Sequence, residues 1–184
     1  LFSGMHVVTG ALGPSRVYCS GGLRYWKDGR EIPDVMTAVF DYPARGSRPG
    51  FNLTLKVNLV DGSVVNEWGE SGFRFVGNEG VMDLGGRVRI ARRPPLSRDW
   101  DAPPPEGDHL TELTSHEYTA PPGYDSRLDH FRNFFAACRT RKPVVEDGAF
   151  GLRAAAPTLL CNQSYDEKRV IGWDPETFEM TRNA

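Results

Sequence analysis

FNLTLKVNL, residues Phe51–Leu59, alternates without a break. Phe51, Leu53, Leu55, Val57 and Leu59 fall on one side, and Asn52, Thr54, Lys56 and Asn58 on the other. Successive side chains of a strand point to opposite faces, so this period of two predicts a strand with one dry and one polar face. Working backwards, DVMTAVFDY (34–42) is apolar at both parities and predicts a strand covered on both sides. Residues 15–20 predict another strand. Residues 1–12 read as the end of a helix broken by Gly13-Pro14. Working forwards, three short runs near 72–76, 81–84 and 87–91 are separated by Asn78-Glu79-Gly80 and Gly85-Gly86, the pattern of an antiparallel meander.

Residues 92–125 differ in kind. They hold seven of the chain's 14 prolines and read as an arm laid over the surface or over a partner subunit. Ser126 then starts a helix, with Asp129 three residues on as a weaker form of the capping box. Leu128, Phe131, Phe134, Phe135 and Cys138 recur at helical spacing, which predicts that this helix lies against the sheet. A second helix is expected within 147–165, delayed or kinked by Pro157. A last strand covers 168–173. Strands followed by helices predict one α+β domain over residues 1–184, an open and largely antiparallel β-sheet with helices packed on one face.

The bulk numbers narrow the function. A chain of 184 residues supports one domain with a proper core. A net charge of −2 gives no field for nucleic acid or an acidic membrane, so neither is expected as a partner. No run approaches the roughly 20 apolar residues of a membrane span, and no basic-then-apolar leader opens the chain, so a cytoplasmic protein is expected. Any export signal would lie upstream of Leu1. Three scattered cysteines, Cys19, Cys138 and Cys161, fit reduced thiols better than a disulfide framework. The chain opens on apolar residues, as if a helix were entered partway, which reads as a fragment of something longer.

Chemistry-bearing motifs are sparse. Neither G-x-G-x-x-G nor the P-loop occurs, so no cofactor-binding residue is assigned. The four histidines show no metal-ligand spacing, there is no C-x-x-C, and no nucleophile elbow occurs. No catalytic and no metal residue is therefore named. SGGLRYWKDGREIPD (20–34) remains, with paired glycines ahead of six charges and two aromatics. Arg24, Lys27 and Arg30 could hydrogen-bond hydroxyls or a carboxylate, and Trp26 could stack on a sugar ring. The same stretch also reads as a solvated turn between strands. His6, on the apolar opening helix, joins these four as a candidate substrate-binding residue. It equally suits a hydrogen-bonded histidine at a packed interface.

Several stretches together carry a resemblance: GALGPSRVYCSGG, GREIPDVMTAVFDYP, FNLTLKVNL, the hairpin GFRFVGNEGVMDL, and DHFRNFFAACRTRKPVVEDGAFGLRAAAPTLLCNQSY followed by WDPETFEM. In order and spacing they resemble the C-terminal domain of the Gfo/Idh/MocA oxidoreductases, over nearly the whole chain. The resemblance implies a substrate and assembly domain of an NAD- or NADP-dependent sugar or polyol oxidoreductase. The cofactor would be bound by a Rossmann domain absent here, and this chain alone would be inactive. It further implies a homo-oligomer formed through the open sheet face. The family's E-K-P motif is absent, and its catalytic His is not carried over to His6. A stand-alone, non-catalytic binding or oligomerisation module is the alternative reading.

Overall fold

The alternating stretch becomes strand β3 (Phe51–Asn58), which stands at one end of a five-stranded antiparallel sheet. The structure is a computed structural model that describes residues 1–59, 73–84, 88–92, 111–116, 121–144 and 146–181. Before β3 come helix α1 (Phe2–Thr9) and strands β1 (Arg16–Gly22) and β2 (Val35–Tyr42). After it come β4 (Phe73–Val76), β5 (Gly80–Leu84), β6 (Val88–Arg92) and β7 (Thr111–His116). Helices α2 (Ser126–Thr140) and α3 (Gly148–Glu167) follow, and strands β8 (Ile171–Asp174) and β9 (Glu179–Thr181) close the chain.

The chain divides into two compact units. One comprises Leu1–Ser63 with Arg127–Ala184, and the other Val64–Ser126. The first holds the sheet β3-β2-β1-β8-β9, and the second the sheet β4-β5-β6-β7. Every pairing among the described residues is antiparallel, and the fold is α+β. The expected meander is present as β4 to β6. Residues 111–116, assigned to the proline-rich arm, form strand β7 against β6. Their Thr-Glu-Leu-Thr-Ser-His run contains no proline, so every residue can donate to a ladder. Most of the rest of the proposed arm, and the Gly85-Gly86 turn, lie outside the described residues.

Among the described residues of the first unit, the buried side chains of the sheet lie on one face. Val17 and Cys19 of β1, Ala38, Phe40 and Tyr42 of β2, and Ile171 and Trp173 of β8 are buried. Helix α3 packs over β1 and β8, and α1 packs against α3. Phe2 meets Phe40 edge-on at 5.1 Å, and Tyr42 stacks on its register partner Phe51 at 4.6 Å. Each such apolar side chain contributes about 1.5–3 kcal/mol on burial. The opposite face leaves Tyr18, Thr37 and Val39 exposed. Strand β2, expected to be covered on both sides, therefore has one wet face. Its mixed parity reflects small and aliphatic residues on an open face, not a second layer.

Two helix expectations change. Helix α3 is capped by Asp147, whose carboxylate accepts the Phe150 N–H at 2.8 Å, and it runs through Pro157 instead of starting late. Helix α2 forms where expected but buries no residue. Leu128, Phe131, Phe134 and Phe135 are each about half exposed, and the predicted contact with the sheet is not made. Helical spacing specifies an apolar stripe, but not what covers it.

One hydroxyl joins the layers. The fully buried Ser164 Oγ of α3 accepts the Cys19 N–H of β1 at 2.9 Å and donates to the Arg169 carbonyl at 2.7 Å. Ser164→Ala should leave the Cys19 N–H without a partner and destabilise the chain by about 1–3 kcal/mol. Urea unfolding followed by circular dichroism checks this; an unchanged midpoint would show that water replaces the hydroxyl.

Candidate functional site

The charged stretch between β1 and β2 folds around a single carboxylate. Gly22 ends β1, and the chain turns through residues 23–33 before Asp34 leads into β2. Asp34 Oδ1 accepts the Arg24 N–H at 2.7 Å, while Oδ2 accepts those of Tyr25 and Trp26, both at 2.8 Å. Burial of this side chain would raise its pKa, but the three backbone N–H groups outweigh that and hold the carboxyl at about 2. Asp34 therefore organises the loop and offers nothing to a ligand. The charge pattern alone does not separate it from the other five charges.

Four of the five candidate residues lie on this loop. Arg30 pairs with Asp28 at 2.5 Å, and its guanidinium lies 5.0 Å from the Trp26 ring centroid. The Arg30 hydrogen bond also holds the Asp28 carboxyl at about 2. Tyr25 meets Trp26 edge-on at 5.2 Å, and the Trp26 indole N–H points at the Leu59 carbonyl, 3.4 Å away. Arg24 donates to the Gly21 carbonyl and Lys27 to that of Leu23. Tyr25 is 61 % exposed and Trp26 37 %. The result is an aromatic platform flanked by cationic donors, which can stack against C–H surfaces and donate to hydroxyls. Its Asp28 and Asp34 carboxyls stay ionised far below pH 7, so neither is poised for proton transfer near neutrality.

His6 stands apart from the loop. It is 3 % exposed, and its Nε2 lies 3.1 Å from the Tyr42 hydroxyl. Tyr42 ends β2 at the opposite end from the loop, about 20 Å away at ~3.3 Å per residue. Burial, reinforced by the positive charge of Arg153, lowers the His6 pKa to about 4, so the ring is neutral at pH 7. Its Nδ1 is buried without a hydrogen-bond partner. His6 is thus buried with one ring nitrogen at hydrogen-bond distance from Tyr42 and the other without a partner. A helix residue faces the core or the solvent according to what packs on that helix, and the sequence does not state this.

Two further features are visible only in three dimensions. The thiols of Cys19 and Cys161 face each other across β1 and α3, both buried. Burial raises both, Cys161 to about 12, which leaves them as packing residues and not nucleophiles. A cleft of about 700 Å³ also opens at the His6 end of the sheet, where the turn Arg45–Arg48 meets Trp173 and Pro175. Its signal in the sequence is ARGSRPG (44–50), a turn with arginine at both ends and no recognised motif. Among the described residues no group of three or more His, Cys, Asp or Glu side chains could hold a metal ion, and no helix is long and apolar enough to cross a membrane.

No family model matches the sequence, and no curated protein does. Solved structures match at the level of fold. An Agrobacterium radiobacter oxidoreductase, solved in complex with NAD+, L-tartaric acid and magnesium, superposes with a TM-score of 0.59 at 14% identity, over 93% of this chain and 46% of its own. An NAD-binding protein from Listeria innocua gives 0.58 at 11% identity, over 93% and 48%. A Thermotoga maritima protein assigned as an oxidoreductase gives 0.59 at 13% identity, over 92% and 43%. The chain thus spans less than half the length of each. At these identities the likeness is one of fold: more than nine-tenths of this chain superposes on less than half of each of the three structures.

Proposed function

We propose that this chain is the substrate-binding and assembly part of an NAD- or NADP-dependent oxidoreductase acting on a sugar or polyol. The observation that carries the reading is the coverage: more than nine-tenths of the chain superposes on less than half of each of two oxidoreductases and an NAD-binding protein. Dinucleotide binding would belong to the remaining half, which fits the lack of a glycine fingerprint in this sequence. The chain's part in hydride transfer would then be positional. It holds a polyhydroxylated substrate against a nicotinamide supplied from elsewhere, where alignment alone removes much of the barrier.

The loop of Arg24, Trp26, Lys27 and Arg30 suits such a substrate, since a ring to stack on and several N–H donors are the usual means of holding a polyol. L-tartaric acid, present with the Agrobacterium enzyme, is itself a polyhydroxylated molecule. The open face carrying Tyr18, Thr37 and Val39 supports self-association, because an exposed sheet face with apolar members gains by being covered.

The test takes the complete product of the gene and follows NADH and NADPH formation across a panel of sugars, polyols and hydroxy acids. Turnover is expected with one of these classes, with none from residues 1–184 alone. Failure of the complete product to bind either dinucleotide would sink the reading, and the stand-alone binding module would replace it.

A further inference from the structure

We propose that the cleft at the Arg45–Arg48 turn binds a small organic carboxylate with a ring-sized apolar body, at a site separate from the Arg24–Arg30 loop. The geometry of the turn carries this. Arg45 and Arg48 exchange both backbone hydrogen bonds, each at 3.0 Å, across the two-residue turn Gly46-Ser47. Residues paired in this way sit about 5.5 Å apart at Cα and send their side chains to the same face. Two guanidinium groups therefore rise together at the mouth of one cleft, an arrangement that repels unless anions offset it.

The offset is incomplete. Glu176 pairs with Arg45 at 3.0 Å, and Asp41 pairs with Arg16 on the cleft's flank. Asp174 also lines the cleft, with its carboxylate accepting the Glu176 N–H at 2.8 Å. Arg48 donates to the Gly10 carbonyl, and among the described residues no carboxylate pairs with it. Of the three arginines at the cleft, Arg48 is thus the one without a carboxylate partner among the described residues, and a single guanidinium matches a monoanion better than a phosphate dianion. A guanidinium already anchored on one side presents its remaining N–H groups as a fixed fork, suited to a planar carboxylate.

The walls specify the rest of the ligand. Pro43, Pro49 and Pro175 line the cleft with Phe51, and Trp173 forms part of its floor. Trp173 is packed so closely on Gly13 that a Cβ there would lie 2.5 Å from its ring, so the floor is rigid. A volume of about 700 Å³ accommodates a ligand of ring size or larger. Apolar walls beside the Arg48 guanidinium form a site for an aromatic or cyclic acid, not for a free sugar. The inference does not depend on the oxidoreductase reading, because it uses only residues at the far end of the sheet.

The experiment titrates the chain with benzoate, benzyl alcohol and phenyl phosphate, following backbone amide shifts by NMR. Benzoate is expected to bind saturably in the millimolar range, with shifts confined to residues 9–16, 43–51 and 173–176. Benzyl alcohol, which is neutral, should bind roughly tenfold more weakly or not at all, and so should benzoate to a folded Arg48→Gln variant. Linear, unsaturated shifts would overturn the proposal, and so would equal affinity for acid and alcohol. Tighter binding of phenyl phosphate would overturn the choice of a carboxylate. The acid–alcohol comparison needs no variant, so it stands even if Arg48→Gln fails to fold.

Discussion

Acidification from pH 6.5 to pH 4 is expected to cost the fold about 3 kcal/mol through His6 alone. Burial, with Arg153 adding to it, lowers this imidazole from 6.5 to about 4 in the folded chain. The unfolded chain regains the ordinary value. Between these two pKa values the unfolded state binds a proton that the folded state refuses, so protons favour unfolding. The stabilisation from a neutral His6 is thus complete above pH 6.5 and drains away as the pH falls to 4. Urea midpoints of the wild type and of His6→Gln, measured at pH 7 and at pH 4.5, isolate the effect. The wild type should lose the greater stability, since carboxylates elsewhere contribute equally to both. Parallel losses would mean that His6 is hydrated in solution and that its contact with Tyr42 is not maintained.

Asp34→Ala should release the loop and lower the melting temperature by on the order of 5–10 °C. Three N–H groups lose their acceptor together, and a domain of this size loses roughly 2–4 °C per kcal/mol. Hydrogen exchange at Arg24, Tyr25 and Trp26 should rise sharply while exchange in β1 and β8 changes little. In the wild type the same interaction fades in acid. The carboxyl is held at about 2 against an ordinary 3.8, so its stabilisation is present above pH 4 and disappears as the pH falls through 2. Should the Arg24–Trp26 amides exchange at the same rate in Asp34→Ala, the loop would be held by its aromatic contacts instead. The substrate reading of Arg24, Trp26, Lys27 and Arg30 would then need another scaffold.

The candidate site was half legible in the sequence. Arg24, Trp26, Lys27 and Arg30 are close in sequence, so a single loop had to bring them near one another. That Asp34 would bind three backbone amides was hidden, because the same residue could as well have been one more solvated charge. His6 was hidden for a different reason. Its neighbour Tyr42 is 36 residues away, and only the packing of α1 over β2 brings the two together. The Arg45–Arg48 cleft likewise joins the ends of β2 and β8, which are far apart along the chain.

Alternation and helical spacing are properties of neighbouring residues, and they were enough for β3, the meander and helix α2. They carried the α+β class as well, because a strand-rich first half and helical second half leave few other ways to cover apolar faces. What covers each face depends on residues distant in sequence, and there the tertiary structure decided. It left one face of β2 open, the stripe of α2 unburied and the His6 ring neutral in the core. In each case the free energy lies in contacts between elements, which no local periodicity records.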